Sequence, residues 1–117
     1  MTTSGQAHRV TQLEGKMREK RRGPRMNSRV PVALEWSENQ RGRTHHENAH
    51  TRIVNFYGCL LVSPEEMPLE RRLRLTNLAN QRSIGAVVVY QGNRRVDGWE
   101  LGVELIEPEM DFWGIDL

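Results

Sequence analysis

The chain has 117 residues, 37% hydrophobic and 27% charged, with a formal net charge of +2, which suits one globular domain with a single modest core. It contains no run of 18 apolar residues able to cross a bilayer as a helix. A lone cysteine, Cys59, excludes an internal disulfide, and the opening MTTSGQAHRVTQLEGKMREKRR lacks the apolar centre and cleavage pattern of a secretory signal. The expectation is a cytoplasmic protein without a membrane partner.

In chain order, residues 1–8 are polar. Residues 9–22 place Val10, Leu13 and Met17 at helical spacing on a thin apolar stripe, which Gly23-Pro24 would end. The predicted division is a flexible or partly helical basic leader over 1–24 and a folded domain over 25–117. Charge divides similarly: residues 1–29 carry eight Lys/Arg and two acids, while the rest carries nine and thirteen. A basic leader on a mildly acidic body suits an anionic partner, or simply keeps the chain solvated.

From Val30 the pattern is β. VPVALEW alternates, with Val30, Val32, Leu34 and Trp36 on one side. SENQRGRTHHEN has no period and is expected as a polar loop. AHTRIVNF alternates up to Tyr57-Gly58, and CLLVS is a short apolar run. Leu73 and Leu75 alternate with charged residues in LERRLRLTNL. SIGAVVVYQ carries three consecutive valines, QGNRRVDG is turn-rich, and WELGVELIE alternates through Trp99, Leu101, Val103 and Leu105. About six short strands joined by short polar turns predict an all-β antiparallel sandwich or barrel. A barrel has the advantage of leaving no exposed strand edge. The predicted core is Val30, Val32, Leu34, Leu61, Leu73, Leu75, Val87, Val89, Leu101, Val103 and Leu105, with Trp113 capping one open end.

Most reactive chemistry lacks a pattern here. His45, His46 and His50 form HHxxxH without the fourth ligand or cysteine partner of a structural zinc site, so no metal is expected. Cys59 sits in the apolar run GCLLV with no neighbouring base and is read as a small core residue. There is no nucleophile elbow, P-loop or HExxH, and the chain is expected not to be an enzyme. With only seven aromatics, it offers little stacking platform for single-stranded nucleic acid, and no nucleic-acid partner is expected. Arg25 and Arg29 stand apart. Guanidinium groups bind phosphate bidentately and stack on bases, and this pair lies four residues apart just before the first strand.

RMNSRVPVALEW resembles the opening of a PilZ domain, where Arg-x-x-x-Arg precedes the first strand. TRIVNFYGCLLVS resembles the second PilZ element, [D/N]xSxxG at a β-turn, with Gly58 falling 29 residues after Arg29. RRLRLTNL, SIGAVVVY and GWELGVELIEPEMDFWGI are similar to the closing strands of that family. The resemblance covers Arg25 to Leu117. It implies a six-stranded antiparallel β-barrel and binding of the bacterial second messenger cyclic di-GMP, with no other cofactor. It also implies that Arg25 and Arg29 clamp the ligand. Arg21 or Arg22 is expected as an extra phosphate contact, and the leader is expected to become ordered as the arginines close over the ligand. Gly58 matches the motif glycine, a position needing positive φ or a close backbone approach. The second motif departs from the pattern: counted back from Gly58, Ile53 stands at the Asp/Asn position and Asn55 at the Ser position. Asn55 is then the remaining polar reader. The alternative is a degenerate PilZ domain that does not bind cyclic di-GMP and acts as an adaptor for a protein effector.

Overall fold

The structure, a computed structural model, describes residues 25–38 and 42–115. The leader over 1–24, and with it the helix expected over 9–22, lies outside the described residues. Seven strands form: β1 (Met26–Asn27), β2 (Pro31–Ser37), β3 (Thr44–Asn55), β4 (Gly58–Ser63), β5 (Arg72–Asn77), β6 (Arg82–Arg95) and β7 (Gly98–Leu105). All pairings are antiparallel. The order β1-β3-β2-β5-β6-β7-β4, with β3 also pairing to β4, closes β2 to β7 into a six-stranded barrel and leaves β1 as an extra strand on β3.

Alternation drives most of the inward packing. In β2, Val32, Leu34 and Trp36 point into the barrel, while Pro31, Ala33 and Glu35 do not. Directly opposed residues share a face, so Leu34 sits beside Leu75 on β5, and Leu75 beside Ile84 on β6. Each such side chain, fully withdrawn from water, contributes roughly 1.5–3 kcal/mol to burial. Val54, Cys59, Leu61, Leu101 and Val103 complete the wall. Met67, from the β4–β5 connection, and Phe112, after β7, are fully buried in the same core.

Four expectations need correction. Val87 and Val89 are half-buried, whereas Ile84, Ala86 and Val88 are inside. Alternation cannot set its own phase across three consecutive valines. Here it is set by the pairs Leu75↔Ile84 and Leu73↔Ala86. The expected polar loop SENQRGRTHHEN is strand from Thr44 onward. Thr44–His50 pairs residue for residue with Ser37–Pro31, and its polar side chains lie mostly at the surface, which hides the strand from a hydrophobic pattern. For the same reason the turn-rich QGNRRVDG continues β6 to Arg95, and only Val96-Asp97 turns. Finally, Met26–Asn27 adds a short strand ahead of β2.

Beyond β7 the chain turns inward. The Asn77 side-chain amide donates to the carbonyl oxygens of Phe112 (2.9 Å) and Trp113 (3.4 Å), while its oxygen accepts the Ala79 N–H at 2.9 Å. Asn80 donates to the same Phe112 carbonyl at 3.2 Å. Trp113, buried and packed edge-to-face on Phe112, donates Nε1–H to the Asn55 carbonyl at 3.0 Å. The segment is thus pinned both to the β5–β6 turn and to the end of β3.

Candidate functional site: a bulged corner of the barrel

β1 and β2 run along the same edge of β3, but in different registers. Asn27 faces Ile53, whereas Pro31 faces His50, so three residues on one strand span two on the other. This is a β-bulge, a device that re-aims side chains and ends regular pairing. Thr51 holds it. Its buried hydroxyl donates to the Ser28 carbonyl (2.6 Å) and accepts the Val30 N–H (2.8 Å). Backbone bonds from Ser28 N–H to the Arg52 carbonyl and from Thr51 N–H to the Val30 carbonyl, both 3.0 Å, flank it. On its other edge β3 slips against β4 at the same place: Thr51 faces Leu61 and Ile53 faces Leu60, leaving Arg52 as the extra residue. The two irregularities coincide and turn Arg29 and Arg52 outward to solvent.

A groove of about 490 Å³ runs over this corner, within the size range of small-ligand sites. Its floor is His50 to Ile53, one wall is Asn27 to Arg29, and the other is Asp97 from the β6–β7 turn. A second depression of about 430 Å³ shares Arg29 and His50 with it. The rim is mainly cationic. Arg52 Nε and Arg95 Nη1 both approach Oε2 of Glu100, at 3.7 and 3.9 Å, and His50 Nε2 lies 3.4 Å from Asp97 Oδ2. Such partly exposed pairs each contribute at most about 1 kcal/mol, so they orient the groups more than they stabilise the fold. Arg25 and Arg29 have no ion-pair partner among the described residues. An anion arriving here would meet guanidiniums already free to bind it bidentately.

The pairing of Met26 with Val54 brings Arg25 and Arg29 alongside the TRIVNFYG segment. The two stretches singled out in the sequence therefore meet in space. Asn55 is at the corner but faces inward. It is fully buried, and its side-chain oxygen accepts the Tyr57 N–H at 2.7 Å, an Asx turn that shapes the β3–β4 hairpin. Its amide nitrogen has no hydrogen-bond partner. The groove is lined by Ile53 instead. Gly58 is required by close approach rather than by φ: a Cβ there would run into the Val103 carbonyl oxygen and lie 3.2 Å from Glu104 Cα. Arg21 and Arg22 lie outside the described residues.

His50, Arg52 and Asp97 were missed as site residues. Arg52 lies inside TRIVNFYG, and the register slip that exposes it has no sequence mark. Asp97 enters from a turn remote in sequence. The histidines of HHxxxH do not converge: His45 and His46 are adjacent on one strand and point to opposite faces, and no metal-competent cluster of His, Cys, Asp or Glu occurs among the described residues. Cys59 is fully buried, and desolvation pushes its thiol far above the ordinary range. That keeps it protonated and inert at neutral pH.

No protein-family model, curated protein or solved structure matches this chain.

Proposed function

We propose that this chain is a non-enzymatic, PilZ-like receptor for cyclic di-GMP that holds the dinucleotide over the bulged corner. One observation carries the reading: the register Met26↔Val54 and Asn27↔Ile53, which lays the Arg25–Arg29 segment against the end of β3 beside the β3–β4 turn. Arg29, in the groove, binds a phosphate or stacks on a guanine. Arg25, exposed at the start of the same segment, binds at the other end of the ligand. Four residues separate them along the chain, at most about 13 Å when extended and less where the bulge shortens the segment. Arg52 adds a third guanidinium, and Arg21 and Arg22 continue the basic run in the sequence. The barrel supplies a rigid support, so the arginines rather than the strands adjust to the ligand.

Isothermal titration of the full chain with cyclic di-GMP at moderate salt tests the proposal. Saturable heat is expected, and no heat at high micromolar ligand would sink it.

The second reading, an adaptor that binds a protein effector instead of the dinucleotide, is favoured by the β3–β4 turn. There Ile53 lines the groove and Asn55 is turned inward, leaving no polar side chain at those two positions to read a base. Retention of a protein partner by an Arg25→Ala/Arg29→Ala variant that binds no dinucleotide would select the adaptor.

A further inference from the structure

The β6–β7 hairpin is longer than the barrel needs. Its outer rungs, Arg94↔Trp99 and Arg95↔Gly98, continue past a register shift after Gln91, and its turn delivers Asp97 into the groove opposite Arg29. The arm is fixed there. Glu100 on the arm faces both Arg52 of the bulge and Arg95, and Arg94 lies over the Trp99 ring at 5.5 Å. Gly98, at φ +142°, lies so close to the Ser63 carbonyl that a Cβ could not fit. Asp97 Oδ2 is 3.4 Å from His50 Nε2, while Oδ1 has no hydrogen-bond or ion-pair partner among the described residues. The groove therefore holds one carboxylate among guanidiniums, with an acceptor oxygen left over.

A purely phosphate-binding groove gains nothing from a carboxylate, which repels the ligand. A groove for guanine does gain from one. Guanine presents donors at N1 and the N2 amino group along one edge and acceptors at O6 and N7 along another, and a guanidinium fork matches the acceptors. A carboxylate matches the donors. Adenine places a bare acceptor at N1, which a carboxylate rejects, so the same oxygen supplies both attraction and exclusion.

Building on the receptor reading above, we propose that Asp97 is the base-reading residue of this site. It accepts from the N1–H and N2 amino group of one guanine of the dinucleotide, while Arg29 or Arg52 engages O6 and N7 or a phosphate. Asp97 thus supplies, from the opposite wall, the hydrogen-bond acceptor that Ile53 cannot supply from the groove floor. His50 Nε2 lies 3.4 Å from the other carboxylate oxygen.

The test is titration of the full chain, wild type and Asp97→Ala, with cyclic di-GMP and separately with cyclic di-AMP. The two ligands share a phosphate ring and differ in the bases. The wild type is expected to prefer the guanine ligand at least about tenfold, the discrimination of one good base contact. Asp97→Ala should lose that preference through weaker cyclic di-GMP binding, and cyclic di-AMP binding should hold or tighten. Asp97→Glu, which keeps the carboxylate, should retain part of the preference. Because Asp97 is half exposed, unchanged circular dichroism is expected in both variants. Asp97→Ala tightening both ligands equally would overturn the proposal, since the carboxylate would then act only as a repelling charge. An unchanged preference in that variant would overturn it too. Equal wild-type affinity for the two ligands overturns the base reading and leaves the receptor standing, whereas wild-type binding to neither overturns both.

Discussion

Thr51→Val removes a single oxygen from the centre of the bulged corner. Valine fills the volume of threonine, so no cavity opens and the loss is one of hydrogen bonding. The hydroxyl serves two backbone groups, the Val30 N–H and the Ser28 carbonyl. Val30 is only 7% exposed, so its N–H would be left buried without a partner, at a cost of about 1–3 kcal/mol. The Ser28 carbonyl is half-buried and can turn toward water, which adds roughly 0.5–1 kcal/mol. The expected destabilisation is about 1.5–4 kcal/mol, or a Tm about 10 °C lower for a domain of this size. Urea unfolding of both proteins measures it. The midpoint should fall with m unchanged, since the surface exposed on unfolding stays the same. Thr51→Ser, which keeps the hydroxyl, should recover most of the loss. A change under about 0.5 kcal/mol, or equal damage from serine and valine, would refute the role given to this hydroxyl.

Gly58→Ala should cost more than about 3 kcal/mol, because the new methyl collides with β7 backbone that has no room to yield. Expression yield and thermal denaturation report it, and a near-neutral result would mean that β4 and β7 lie further apart. Phe112→Ala should destabilise by about 3–5 kcal/mol, visible in the same melts. It should also release Trp113 from the Asn55 carbonyl, shifting tryptophan emission to the red. Cys59 should resist a thiol reagent such as Ellman's in the native state and react at once in denaturant. Rapid native labelling would contradict its burial.

The β2 strand was readable because its buried and exposed positions alternate without a break, and Leu73 and Leu75 announced β5 in the same way. The barrel class followed from the spacing of such runs. Polar strand halves were not readable. Thr44 to Ala49 and Gln91 to Arg95 are held by backbone pairing, while their side chains carry no apolar period. The valine run hid its phase because only a neighbouring strand can break that tie. At the site, Arg25 and Arg29 stood out through their spacing and their place before a strand. Asn55 was visible as a polar residue near a turn, but its inward orientation depends on the Asx turn and on two successive buried positions, Val54 and Asn55, at the end of β3. Arg52 and Asp97 depended on a register slip and a distant hairpin, neither of which leaves a local mark.

The arginine segment Arg25–Arg29 is the centre of the proposed site. Titration of cyclic di-GMP into the wild type, Arg29→Ala, Arg25→Ala/Arg29→Ala and His46→Ala, all at one moderate salt concentration, isolates it. The wild type and His46→Ala should bind alike, since His46 is exposed on β3 and lines neither depression at the corner. Both arginine variants should lose measurable binding. Equal weakening by His46→Ala and Arg29→Ala, or full binding by the double variant, would contradict the assignment of this corner as the ligand site.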